Sequence, residues 1–180
     1  PGKRIVLYGH SMGGNVTLDY RARGGFNDVP CGYLISAPWI RLVRPIPKPL
    51  YILVKSLAKV VPEMTISSSV DEAILGNPLS VKPYNDNPMV HNRISVACAV
   101  DGFEIGLGLE DGTHEDNGKA AKIPTLLMHG DADKICDVNG SRKIAKRLTE
   151  KGDALEYVEL EGLYHEIHNG NAESTGDEVI

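Results

Sequence analysis

The sequence predicts an α/β fold: a parallel sheet with crossover helices, interrupted by an inserted helical cap. Two observations carry this. A strand-like run followed by a helix and a second strand-like run occurs once near each end of the chain, the pattern of parallel strands joined by right-handed crossovers. Between the two units Pro38, Pro45, Pro47, Pro49, Pro62, Pro78, Pro83 and Pro88 break the chain into short helical stretches, a texture that reads as helical insertion rather than sheet.

Each element has its own signal. Ile5-Val6-Leu7-Tyr8 is a short apolar run of strand formers. Gly9 to Gly14 makes a tight turn and residues 15–23 read as a helix. Gly24-Gly25 closes it, on the expectation that glycine takes the left-handed conformation found past helix ends. Residues 32–37 form a second strand that stops at Pro38, and residues 50–61 are helical inside the insertion. The sheet pattern resumes over residues 123–128 and runs into His129-Gly130. Residues 139–151 place Ile144, Ala145 and Leu148 on one helical face with Gly152 at the end. Val158 and Tyr157 favour a last strand over residues 154–160. The organisation is thus a core segment over 1–37, a cap over 38–122 and a second core segment over 123–180.

The 180 residues suffice for one domain with a substantial apolar core. Nineteen basic against 24 acidic residues give a net charge of −5. That balance offers no phosphate-neutralising surface, so nucleic acid is not an expected partner. No run reaches the roughly 18 apolar residues of a membrane span. Cys31, Cys98 and Cys136 are odd in number and widely spaced. They read as free thiols in a reducing compartment, which places the protein in the cytoplasm, and no metal or cofactor is expected. The chain opens on Pro1-Gly2 rather than Met, so its start says nothing about a leader peptide.

Gly9-His10-Ser11-Met12-Gly13 matches G-x-S-x-G with a strand before it and a helix after it, the context of a nucleophile elbow. Such a turn strains the serine backbone and holds its hydroxyl out at the strand's carboxyl end. Gly9 and Gly13 are expected to be small because side chains there would strike the neighbouring strand and helix. The Met12 N–H, at the helix start, can donate to an oxyanion. A phosphate-binding glycine turn is the bland alternative, but it lacks both G-x-G-x-x-G and the lysine signature.

A serine hydroxyl needs a base, and the base needs an orienting carboxylate. In α/β-hydrolases they follow in the order Ser, Asp or Glu, His, on loops after later strands. Asp133 is preferred over Asp131, which suits the turn after Gly130, and over Asp137, which suits a helix cap. His165 is preferred over His168 because it falls first after the last strand, with Gly162 and Tyr164 shaping the loop. His10, His91, His114 and His129 are out of order for the base.

With Gly-His-Ser-Met-Gly-Gly at 9–14, His-Gly-Asp-Ala-Asp-Lys-Ile-Cys at 129–136 and Glu-Gly-Leu-Tyr-His at 161–165, the chain resembles the monoacylglycerol lipase and lysophospholipase family of the α/β-hydrolase superfamily. The resemblance implies a serine esterase with Ser11, Asp133 and His165 as its triad and Met12 as one oxyanion donor. It implies a small lipid ester as substrate. His10, Tyr84 and Cys136 match positions near the substrate in relatives, although a packed Tyr84 ring is an equally ordinary reading and an inert buried thiol is the preferred one for Cys136. Members of the family begin with about four more strands and a His-Gly loop carrying a second oxyanion donor. The chain therefore reads as the C-terminal part of that fold, its N-terminal strands missing and its first strand an unpaired edge. A broader carboxylesterase, an acyltransferase, and a fragment inactive without its other half are the alternatives. Halide release and epoxide opening are disfavoured, since those chemistries use aspartate where this chain has Ser11.

In the cap, Leu50-Tyr51-Ile52-Leu53-Val54 and Leu57-Ala58-Lys59-Val60-Val61 are apolar, with Arg41, Arg44, Lys48 and Lys55 around them. They read either as a cap helix packed on the core or as a lid making transient contact with a membrane surface.

Overall fold

The computed structural model describes residues 4–68, 70–71, 74–76, 89, 91–114 and 116–169. Its main sheet joins β1 (Val6–His10), β2 (Gly32–Ser36), β5 (Thr125–Gly130) and β6 (Leu155–Leu160) in the order β1-β2-β5-β6. All three pairings are parallel, as the sequence predicts. Helix α1 (Met12–Arg23) joins β1 to β2, and α4 (Val138–Glu150) joins β5 to β6. Between β2 and β5 lie α2 (Lys48–Ala58), the short strands β3 (Thr65–Ser67) and β4 (Arg93–Ser95), and α3 (Val96–Asp111).

Every crossover advances the sheet in the same direction. Right-handed connections therefore place α1, α3 and α4 on a single face. The core records this. Tyr33 and Ile35 of β2 and Leu127 of β5 pack with Leu18 and Ala22 of α1, Leu109 of α3, and Ile144, Ala145 and Leu148 of α4. Strand register puts Leu7, Tyr33, Thr125 and Leu155 in one row, and Ile35, Leu127 and Tyr157 in the next. Burying each large aliphatic side chain in this layer contributes about 1.5–3 kcal/mol. On the opposite face Val6 and Tyr8 are 58% and 52% exposed, and β1 is an edge strand of the described sheet.

One buried cation ties these layers together. Arg21 of α1 is 1% exposed. It donates to Thr125 Oγ1 at 2.9 Å and the Ala120 carbonyl at 3.3 Å, and it pairs with Asp153 at 2.8 Å and Asp116 at 3.6 Å. A guanidinium survives burial here because several acceptors and two carboxylates surround it.

The expected cap is not uniform. Ile40, Leu109 and Ala120 of the segment 38–122 lie in the main core, whereas α2 has no buried residue and exposes Leu50, Ile52 and Leu53. The segment also contains sheet, contrary to the sequence reading. Thr65–Ser67 pairs antiparallel with Arg93–Ser95, and Arg93 donates to Thr65 Oγ1 at 2.7 Å. Three-residue strands this far apart carry too little periodicity to be read from sequence.

Helix α1 starts at Met12, three residues before the predicted start, because the Asn15 N–H closes its first turn on the Ser11 carbonyl at 3.0 Å. Gly24 also differs from expectation. Its φ of −58° and ψ of 141° are not left-handed; glycine stands there because a Cβ would meet the Tyr20 carbonyl oxygen and ring at 2.6 Å.

Candidate active site

Ser11 lies where β1 turns into α1, with φ 54° and ψ −119°. A non-glycine residue at positive φ costs about 1–3 kcal/mol, and the surroundings hold it there. The Ser11 N–H donates to the Ser36 carbonyl at 3.1 Å, and the Ser11 carbonyl accepts from Trp39 N–H at 2.9 Å. At Gly9 a Cβ would run into Thr17 Oγ1 and the Gly13 carbonyl, as expected. At Gly13 a Cβ would meet nothing within 4 Å, so the steric role foreseen for it is absent. The tight second position is Gly14, where a Cβ would lie 3.0 Å from Pro38. The difference arises because Gly13 approaches Gly9 through its backbone, leaving its own Cβ direction free.

The loop after β5 shapes Asp133. Its Oδ1 accepts from the N–H groups of Ile135 at 2.7 Å and Cys136 at 3.0 Å. Its Oδ2 faces His165 Nδ1 at 2.7 Å. Burial pushes the Asp133 carboxyl up. Hydrogen bonds from His129 and His165, the His165 charge and the Ile135 N–H outweigh it and hold the group well below the usual carboxylate range.

The loop after β6 delivers His165, which is 3% exposed. Its Nε2 stands 2.9 Å from Ser11 Oγ. Asp133 only accepts when ionised, so the network assigns the proton to Nδ1 and leaves Nε2 to accept from the Ser11 hydroxyl. The two loops are stitched together. Ala132 N–H donates to the Leu163 carbonyl at 3.1 Å, and Asp131 Oδ1 accepts from Gly162 N–H at 2.7 Å. Gly162 sits at φ 71°, and Tyr164 receives Lys134 at 2.8 Å. Asp137 caps α4 by accepting from Asn139 N–H. Asp131 and Asp137 therefore have other employment, and Ser11, His165 and Asp133 form one continuous hydrogen-bonded chain.

The remaining candidates surround this chain. Met12 is the first residue of α1, where N–H groups have no intrahelical acceptor. The His10 ring lies 4.8 Å from that of His165 and 4.7 Å from that of His168, and its Nδ1 is 3.1 Å from Ser36 Oγ. Burial first, then His165 and His168, hold His10 down to about 3. Cys136 is buried, and burial together with Asp133 pushes its thiol well up. Asp133, Cys136 and His165 offer ligand atoms within 4.8 Å of one another. Those of Asp133 and His165 are engaged in the hydrogen-bonded chain. Tyr84 lies outside the described residues.

Sequence reasoning missed His129. It is fully buried, with Nε2 3.1 Å from Asp133 Oδ2 and Nδ1 2.8 Å from Ser141 Oγ. Its position four residues before Asp133, at the end of a buried strand, was the available signal.

The model of the Hydrolase_4 family, described as Serine aminopeptidase, S33, matches residues 1–172. The chain belongs to this family. It is 31% identical over 166 residues to the monoacylglycerol lipase of Mycolicibacterium smegmatis, covering 92% of this chain and 56% of that protein. It is 30% identical to the monoglyceride lipase of Saccharomyces cerevisiae, over 79% of this chain and 47% of that one. The crystal structure of the monoacylglycerol lipase from Paleococcus ferrophilus superimposes with a TM-score of 0.78 at 30% identity, covering 98% of this chain and 65% of that one. A soluble variant of the Saccharomyces cerevisiae monoglyceride lipase, solved with a substrate analog, gives 0.77 at 28% identity, over 99% of this chain and 59% of that one. The chain thus spans about half the length of the curated relatives it matches. The resemblance read from its motifs is borne out, and the partial α/β-hydrolase fold with it.

Proposed function

We propose that this Hydrolase_4 chain carries the nucleophile, base and acid of a serine carboxylic-ester hydrolase acting on monoacylglycerols or lysophospholipid-type esters. The observation that supports it is the unbroken relay from Ser11 Oγ through His165 to Asp133. His165 Nε2 takes the Ser11 proton as Oγ attacks the ester carbonyl, and the Met12 N–H donates to the oxyanion. Asp133 stabilises the imidazolium through Nδ1–H. His165 then returns the proton to the leaving alcohol. A water deprotonated at the same Nε2 releases the fatty acid and regenerates Ser11. The oxyanion donor alone contributes about a hundredfold or more.

The lipid substrate is inferred from the names of the similar proteins. The family description names an aminopeptidase, and the same relay can attack an amide, so ester and peptide substrates belong in one test. A fluorophosphonate probe should label Ser11, and a monoacylglycerol should be cleaved faster than a lysophospholipid, a short ester or an aminoacyl anilide. Failure to label, or faster cleavage of the anilide, would overturn the reading.

Membrane-surface contact through α2 is part of the same proposal. Leu50, Ile52 and Leu53 are 48%, 63% and 62% exposed, and no helix among the described residues is long and apolar enough to cross a membrane. Flotation with anionic vesicles tests it: binding that survives Ile52→Asp with Leu53→Asp would reject α2 as the contact. Three free cysteines support a reducing, cytoplasmic setting.

A further inference from the structure

Asp133 carries a second histidine. Its Oδ2 faces His165 Nδ1 at 2.7 Å and, on another side, His129 Nε2 at 3.1 Å. The His129 and Asp133 side chains are both 0% exposed. His129 Nε2 also lies 3.2 Å from the Cys136 carbonyl. Both neighbours of Nε2 only accept, so Nε2 carries a hydrogen in every protonation state of the ring. At the far side of the ring, Nδ1 meets Ser141 Oγ of α4 at 2.8 Å, and Ser141 is itself fully buried.

We infer that His129 is a positioning residue for the reaction: clamped by Ser141 of α4, it donates to Asp133 and keeps that carboxylate oriented on His165. Three donors around Asp133 stay fixed: the Ile135 and Cys136 N–H groups on Oδ1 and His129 on Oδ2. The fourth, His165, is the group whose proton moves during turnover. With Oδ1 held by the two backbone N–H groups, an Oδ2 bonded only to its moving partner would lose its own restraint when that bond changes. His129 supplies the stationary bond on the same oxygen. Its polar partners are Asp133, Ser141 and the Cys136 carbonyl rather than Ser11, so its loss should act on turnover through Asp133 and leave substrate binding alone. The chain of support runs from α4 through Ser141 and His129 to the acid, which makes the helix behind the site part of its geometry.

This inference rests on the ester-hydrolase reading, so the test has one readout for each. The parent chain, His129→Leu, His129→Gln and Ser141→Ala are compared for ester turnover and, with isotope-labelled histidine, for the low-field NMR signal of the His165 Nδ1 proton. In H129L we expect kcat to fall about tenfold to a hundredfold, the worth of one hydrogen bond to a charged group. KM should be unchanged and the His165 signal lost. H129Q places an amide N–H near the position of Nε2 and should restore both. S141A should show a smaller loss of kcat with the same KM, and it replaces H129L should that variant not fold. Parent turnover and an unchanged His165 signal in H129L or S141A would overturn the inference, as would failure of H129Q to rescue H129L. A parent chain that neither labels at Ser11 nor cleaves ester would sink the hydrolase reading alone. The NMR signal would then decide the His129 contact by itself.

Discussion

His165 Nε2 lies 2.9 Å from Ser11 Oγ although the two residues stand 154 positions apart in the chain. The contact is assembled wholly by tertiary structure: β1 and β6 are at opposite edges of the described sheet, and only their carboxyl-end loops meet. Replacing Asp133 by Asn keeps the shape of the acid and takes away its charge. It should leave KM within a few-fold while lowering kcat about ten-thousandfold. Steady-state kinetics on a monoacylglycerol measure this, and near-parent kcat would remove Asp133 from the relay.

The two glycines of the G-x-S-x-G turn should respond oppositely. Gly9→Ala drives a methyl into Thr17 and the Gly13 backbone and should cost about 2 kcal/mol or more through strain around Ser11. Gly13→Ala meets open space inside a helix and should be neutral or stabilising by up to about 1 kcal/mol. Urea unfolding of both variants compares them directly.

Arg21 predicts a large effect far from the candidate site. Arg21→Met leaves the carboxylates of Asp116 and Asp153, 8% and 5% exposed, without their cation. Removing one partner of such a buried pair should cost about 3–5 kcal/mol, read as a lower urea midpoint. A shift under 1 kcal/mol would mean that water reaches both acids.

His10 links stability to acid. In the folded chain it takes up its proton only near pH 3, against 6.5 for the free side chain. Between those values the unfolded chain binds more protons, so stability falls as pH falls through that window. The depressed Asp133 carboxyl adds its own loss only below the ordinary carboxylate range near 4. Between pH 7 and 5, His10→Gln should therefore lose less stability than the parent, by urea midpoints at the two values.

What the sequence made legible were features with strong local signals. Apolar β-branched runs ended in turn residues, and G-x-S-x-G stood between a strand and a helix. Ser11, Asp133 and His165 were brought within reach by following strand ends. Features set by distant neighbours stayed hidden. Gly24 is demanded by the Tyr20 carbonyl, and Gly14 rather than Gly13 by Pro38. α3 reads as cap because it falls inside the segment 38–122 before the sheet pattern resumes, yet Leu109 is in the core. His129 was set aside because chain order excludes it as the base, and order says nothing about which side chain will stand behind an acid.

Parallel sheets are ordinarily sandwiched on both sides. Among the described residues the helices share one face, and Val6 and Tyr8 at the β1 end of the other stand 58% and 52% exposed. Covering such a flank hides oil and pairs the amides of an edge strand at once. A charge of −5 opposes like-charged copies only weakly once salt screens it. Of the described surface, this flank, ahead of the relay at Ser11, is where adhesion to another chain would bring the larger gain.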